Sequence, residues 1–184
     1  MEKLIQYFEI LKQAPKRVIL MEPKESENFY FKHIDEARIY LPFIKDCDTV
    51  LDIGTGAGFP GIPLSIMKEG ANFILADRRK IHTAFLKSVK DSLNLHNVTV
   101  LNARADEISE KISNNVDIVC ARAVSRIRNI LTWSEPILKR YGLVLLGKGN
   151  EIENEIESAK ALPYELIEKC RTDFGFLVVY RKLV

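Results

Sequence analysis

Between Asp52 and Gly61 the chain reads Asp-Ile-Gly-Thr-Gly-Ala-Gly-Phe-Pro-Gly, a carboxylate followed at once by a run of glycines. Glycines allow a tight turn and let a ligand approach the main chain without side-chain clash. A second carboxylate, Asp77, ends the next apolar run, Asn72 to Ala76. An acid at that place can accept hydrogen bonds from ribose hydroxyls, which suits an adenosine-bearing cofactor. Asp52 helps to choose among such cofactors. A dinucleotide offers an anionic pyrophosphate, which seeks amides and a helix N-terminus, and a carboxylate beside the loop repels it. S-adenosylmethionine carries an ammonium and a sulfonium instead, and a carboxylate favours both. The pattern therefore points to S-adenosylmethionine rather than NAD. The plainer role for Asp52 is to cap amides of the loop.

Cations that could meet a polyanion recur as Arg78-Arg79-Lys80, as Arg122, Arg126 and Arg128, and as Lys139-Arg140. The formal net charge is only +2, so the position of these groups matters more than their sum. Trp133 and Tyr141 could stack on bases, although Trp133 reads better as helix core. His33, His82 and His96 lack metal-ligand spacing and read as solvated or helix-surface residues. Cys47, Cys120 and Cys170 are odd in number and far apart, which argues for mostly buried free thiols rather than disulfides or a zinc site.

The loop works only if a strand precedes it and a helix follows. Thr49 to Ile53 is a short apolar strand, and Phe59 to Lys68 is helix-like, with Pro60 and Pro63 in its first turn. The alternation continues through Asn72–Ala76, the helix Arg79–Leu93, Val98–Leu101, a short helix at Asp106–Lys111, Asp117–Ala121, the helix Ile127–Leu138 (weakened or kinked near Pro136), Gly142–Leu146 and the helix Glu151–Ala161. Glu165–Glu168 and Phe176–Tyr180 follow with no helix between them, so they form an antiparallel pair. Before the first strand, Leu4, Ile5, Phe8 and Leu11 recur at helical spacing. Met21–Glu27 reads as a loop, and Phe29–Leu41 as a helix closed by Pro42. Strands alternating with helices imply an α/β, doubly wound sheet with helices on both faces. Ligands on such sheets bind outside the carboxyl ends of the strands.

The run Asp52–Ile66, DIGTGAGFPGIPLSI, resembles the first motif of the RsmG (GidB) family of bacterial ribosomal RNA methyltransferases. Asn102 to Glu107, Ala121-Arg122-Ala123 and Gly147-Lys148-Gly149 are similar to later family motifs and occur in the same order. His33 with Asp35 is similar to the family's His-x-x-Asp. After Asp77 the chain departs from the family, with Arg78-Arg79-Lys80 in place of a serine and a later Lys-Arg pair. Arg171 stands in for an arginine whose own position is Gly175. The resemblance implies a Rossmann-like, seven-stranded class I methyltransferase sheet over 46–184, with a short N-terminal helical extension over 1–45. It implies methyl transfer from S-adenosylmethionine to N7 of a guanine in 16S ribosomal RNA. By position, Gly54, Phe59, Asp77, Ala105, Asp106 and Arg122 would form the cofactor site. Lys148 would position the RNA.

No apolar run approaches the roughly 20 residues that a membrane span needs, and the first residues lack the features of a secretory signal. The expectation is a cytoplasmic monomer without metal, acting on 16S ribosomal RNA or the small ribosomal subunit. An NAD-dependent oxidoreductase and a non-enzymatic RNA-binding protein on a methyltransferase scaffold are the competing classes. The first needs room for nicotinamide and a substrate domain. The second need not keep every glycine.

Overall fold

A computed structural model describes residues 2–18, 27–112 and 115–184. Two helices come first, α1 (Glu2–Gln13) and α2 (Glu27–Arg38). Alternation then runs through β1 (Thr49–Ile53), α3 (Gly61–Met67), β2 (Asn72–Asp77), α4 (Lys80–Ser92) and β3 (Val98–Asn102). A 3-10 turn at Ala105–Glu110 leads to β4 (Val116–Arg122), α5 (Ile127–Ser134), β5 (Leu138–Lys148) and α6 (Glu153–Ala159). The chain closes with β6 (Tyr164–Thr172) and β7 (Gly175–Lys182). The seven strands form one sheet in the order β3-β2-β1-β4-β5-β7-β6. The first five are parallel, and β7 runs antiparallel to both β5 and β6.

Each strand sends alternate residues to opposite faces, and both faces are apolar. Val50, Phe73, Leu75, Ile118, Cys120, Leu145, Leu177 and Val179 enter one core layer. Their neighbours Leu51, Ile53, Ala76, Val119, Ala121, Val144, Leu146 and Val178 enter the other. Side chains from α1 to α4 cover the first face, and those from α5, α6 and the 3-10 turn cover the second. Each fully buried aliphatic side chain contributes about 1.5–3 kcal/mol, so this two-sided burial is what makes the continuous apolar strands stable. Leu4, Tyr7, Phe8 and Leu11 of α1 and Ile34 and Ala37 of α2 belong to the same layer as β1 and β2. The N-terminal helices are thus packed on the sheet.

Several boundaries differ from the sequence reading. The helix expected to reach Leu138 stops at Ser134, because Pro136 has no N–H with which to continue it. β5 starts four residues earlier than Gly142, at Leu138, which pairs with Val116. The register shifts before the ladder resumes at Ile118 and Leu143, so Lys139–Gly142 form a bulge. The expected helix Phe29–Leu41 ends at Arg38, and Leu41–Phe43 form a 3-10 turn with Pro42 inside it. The loop expected at 21–27 lies outside the described residues, apart from Glu27, which opens α2. Among the described residues no helix is long and apolar enough to cross a membrane. No group of three His, Cys, Asp or Glu there could hold a metal ion. Of the three cysteines only Cys120 is buried; Cys47 is exposed and Cys170 intermediate.

Candidate active site

The strand order reverses between β1 and β4, and a cleft of about 480 Å³ opens beyond their carboxyl ends. That volume lies in the usual range for small-molecule sites. The glycine loop forms its floor. Gly54 and Thr55 both donate to the carbonyl of Ala76, at 2.8 and 3.1 Å, which hooks the loop onto the end of β2. Gly54 has φ +68°, and a Cβ there would lie 2.7 Å from Val124 Cγ2. Its lack of a side chain serves the turn and the close approach of the loop after β4. From α1, the Tyr7 hydroxyl donates to the Ala57 carbonyl at 2.7 Å, and its ring packs 5.5 Å from that of Phe59.

Asp52 does not face the cleft. It is 1% exposed, and its Oδ2 accepts the Gly61 amide at 3.0 Å. Burial pushes its carboxyl up to about 7, with the Gly61 bond opposing the shift. The carboxylate therefore pins the first turn of α3, which is the plainer of its two expected roles. The acid that does line the cleft is Asp77. Its Oδ1 accepts the Arg79 amide at 2.8 Å. Its Oδ2 accepts the Gly56 amide at 3.0 Å and lies 3.0 Å from His82 Nδ1. Ile53, Ala76, Ala103, Ala105, Ile108 and Val124 give the cleft an apolar wall. Phe59 lines it as expected. Asp106 does not; it is exposed and paired with Arg104 at 3.1 Å, and that bond holds its carboxyl below the usual range.

Arg122, at the end of β4, also lines the cleft. Its partner is Glu36 on α2, at 3.3 Å. The Glu36 oxygen is also 3.4 Å from His33 Nδ1. His33 stacks on Phe174 with centroids 4.9 Å apart, and the Arg122 guanidinium lies 5.4 Å from the same ring. Asp35, the acid expected to act with His33, is exposed and paired with Arg38. It is Glu36, three residues after His33, that meets it, not Asp35. Gly147 admits this cluster: a Cβ there would meet the Tyr40 hydroxyl at 2.6 Å and Arg122 Cγ at 3.3 Å.

Lys148 lies away from the cleft lining. Its side chain is 10% exposed, and Nζ is 2.7 Å from Glu155 Oε2. It also donates to the Ser125 carbonyl at 2.8 Å. Glu155 Oε2 in turn accepts the Ile127 amide at 2.8 Å. The lysine thus stitches the end of β5 to the loop after β4, the start of α5 and α6. Arg171 stacks on Phe176 on the antiparallel strands. Trp133 packs against the second core layer, as expected of helix core.

A DxGxGxG loop, a ribose-type acid at the end of β2 and the switch point of a doubly wound sheet now stand together. The family described as GidB, rRNA small subunit methyltransferase G, matches residues 1–172 of the chain. This chain belongs to that family. Its similarity to ribosomal RNA small subunit methyltransferase G of Streptomyces avermitilis is 36% identity over 155 residues, which covers 84% of this chain and 65% of the relative. The chain thus spans just under two thirds of the length of that GidB-family relative. The Corynebacterium glutamicum protein of the same name is 37% identical over 158 residues, covering 85% of this chain and 71% of its own. The fold is that of S-adenosylmethionine-dependent methyltransferases. One from Aquifex aeolicus superposes with a TM-score of 0.67 at 21% identity, over 97% of this chain and 98% of that one.

Residues not taken as cleft lining in the sequence reading also line it: Thr55, Val124, Arg78, Arg79, His82 and Val18, with Tyr7 and Glu36 bracing it. Arg79 donates to the Arg17 carbonyl at 3.0 Å, which draws the segment after α1 to the cleft mouth. Arg78 and Arg79, read from sequence as cations for a polyanion, stand in the cleft wall because they follow Asp77 directly. Nothing in the sequence around Tyr7 or Val18 marks them.

Proposed function

We propose that this chain transfers the methyl group of S-adenosylmethionine to N7 of a guanine in 16S ribosomal RNA. The observation that supports this most is the cleft. Glycine-loop amides, the Asp77 carboxylate and an apolar wall at Ala105 and Ile108 meet where a nucleoside-bearing methyl donor needs them. When bound, S-adenosylmethionine supplies an electrophilic methyl group on a sulfonium. The residues present suit it. Gly54 and Phe59 face the donor pocket, Asp77 accepts from ribose, and Ala105 flanks the adenine edge, with Asp106 turned out to Arg104. Arg122 sits at the strand-end rim.

Guanine N7 carries a lone pair at neutral pH, so no proton must leave before it attacks, and the chain needs no general base. Its tasks are to align the guanine and to tolerate positive charge passing to the base. Arg122, held by Glu36, is a fixed donor for guanine O6 or a phosphate. Lys148 acts on the RNA side through the loop that it anchors, positioning the acceptor rather than carrying a proton. The working unit is a methyltransferase domain over 46–184 with the helical extension 1–45, acting as a cytoplasmic monomer on 16S ribosomal RNA or the small subunit. The test is transfer of tritiated methyl groups from S-adenosylmethionine to ribosomal RNA of cells lacking this protein, with mapping of the modified base. Label at guanine N7 supports the proposal. Absence of transfer to both naked RNA and small subunits, or a thermal shift with NAD and none with S-adenosylmethionine, refutes it.

A further inference from the structure

His82 reads in sequence as a solvated helix-surface histidine, yet it is 3% exposed. It lies in the first turn of α4, against the end of β2 and in the wall of the cleft. Nδ1 is 3.0 Å from Asp77 Oδ2. Nε2 is buried and has no hydrogen-bond partner among the described residues. Burying a polar ring costs free energy unless a hydrogen bond repays it, and the Asp77 carboxylate is the acceptor that this ring meets. The backbone amides of Arg79 and Gly56 already donate to the same carboxylate. With that acceptor in place, the imidazole proton belongs on Nδ1.

We infer that His82 is a cofactor-positioning residue: its imidazole fixes the Asp77 carboxylate in the one orientation that presents a free lone pair to a ribose hydroxyl. This rests on the function proposed above. A carboxylate offers about four lone-pair positions. Oδ2 gives both of its positions to Gly56 and His82, and Oδ1 gives one to Arg79, which leaves one on Oδ1 for ligand. Without His82, Oδ2 keeps a single partner, and the group can turn away from the Arg79 amide and the ribose together. His82 acts through Asp77 and touches no reacting atom.

The test measures affinity for S-adenosylhomocysteine by calorimetry, with urea unfolding of each ligand-free variant as the control for folding. His82→Asn keeps an N–H near the position of Nδ1. His82→Gln keeps size and polarity but carries its amide past that position. His82→Gln is expected to weaken binding roughly tenfold, as loss of one hydrogen bond to a charged group would. His82→Asn should stay within about threefold of wild type. With the 2′,3′-dideoxy analogue of S-adenosylhomocysteine the difference between His82→Gln and wild type should vanish, because the hydroxyls are gone. Unimpaired binding by His82→Gln overturns the inference, and so does a penalty that persists with the dideoxy analogue. If His82→Gln does not fold, His82→Leu takes its place: a roughly tenfold loss in His82→Leu that is absent in His82→Asn upholds the inference, and equal affinity of the two overturns it. Wild-type protein that fails to bind S-adenosylhomocysteine at all removes the proposed function and this inference together.

Discussion

The two ends of the cleft are built by different means. At the β1–β2 end the groups are held largely by main-chain amides and carbonyls. Asp52 takes the Gly61 amide, Asp77 takes the amides of Gly56 and Arg79, and the loop hangs from the Ala76 carbonyl. At the β4–β5 end the groups are charged side chains, and their partners are carboxylates on packed helices rather than backbone amides. Arg122 reaches Glu36 on α2, and Lys148 reaches Glu155 on α6. Amide-held groups lose little entropy on folding, because backbone order already fixes their donors. An ion pair between long side chains must order both, and burial makes each charge dependent on the other. The first end should therefore behave as a rigid donor pocket. The second should respond to loss of either partner.

The largest effect is expected at Asp52, which looks like a ligand residue in sequence and is a strained anchor in the structure. Its folded value of about 7 lies above the ordinary carboxylate value of 3.8. The stability associated with its neutral form is therefore fully present below about pH 4 and is lost as pH rises to about 7. Asp52→Asn should match wild type near pH 4 and be more stable above pH 7, on the order of 4 kcal/mol if the full difference is realised. Urea unfolding of both proteins from pH 4 to 8 measures it. A variant less stable than wild type at pH 8 would mean that the carboxylate is needed in charged form, and that the β1 end is not held by amides alone.

Asp77→Ala comes next. It removes the proposed ribose acceptor, which should weaken S-adenosylhomocysteine binding by on the order of 1.5–3 kcal/mol. Some folding stability should go with it, since the amides of Gly56 and Arg79 lose their acceptor. Equal affinity in the folded variant would show that the donor pocket lies elsewhere.

At the opposite end, Lys148→Ala and Glu155→Gln break the same ion pair from its two sides. Each should cost about 1–3 kcal/mol of stability, because a largely buried charge loses its partner. Cofactor affinity should stay near that of wild type. If Lys148 also positions RNA, methylation by Lys148→Ala falls well below that of Glu155→Gln at equal folded fraction. Equal rates in the two variants would reduce the lysine to a structural clamp.

The smallest effect is expected from Tyr7→Phe, which deletes one hydroxyl and the bond to the Ala57 carbonyl. It should cost about 0.5–1.5 kcal/mol, read as a lower Tm and a modestly weaker affinity for S-adenosylhomocysteine. A change in affinity with no change in Tm would sharpen the contrast, by making α1 part of the donor pocket rather than of the core alone.

What sequence makes legible follows from how far apart the partners are. The helix–strand alternation from Asp48 onward, the glycine turn and the acid at the end of β2 all rest on neighbours within one strand–loop–helix unit, so residue type and spacing report them. The antiparallel pair at the end of the chain was legible too, since too few residues separate its strands for a crossover. The end of the helix expected through Leu138 was legible only in part: Pro136 marks the weak point, but the apolar pattern of Ile127, Ile130 and Leu131 carries on past Ser134, where the helix stops. Two of the three histidines failed for another reason, while His96 is exposed as expected. His33 and His82 lie on helices whose burial is decided by what packs over them, and neither Phe174 nor Asp77 can be assigned to a helix face from spacing.

By itself the sequence determined a doubly wound sheet, the place of its ligand cleft and the chemistry of the loop that floors it, because hydrophobic period and glycine spacing are local properties of the chain. Only the tertiary structure decided which charges are available there. It buried Asp52 beneath the loop, set His82 behind Asp77, tied Arg122 to Glu36 and tied Lys148 to Glu155. Those choices depend on which distant side chain shares a volume from which water is excluded, and packing settles that only once the sheet and both helical layers have closed.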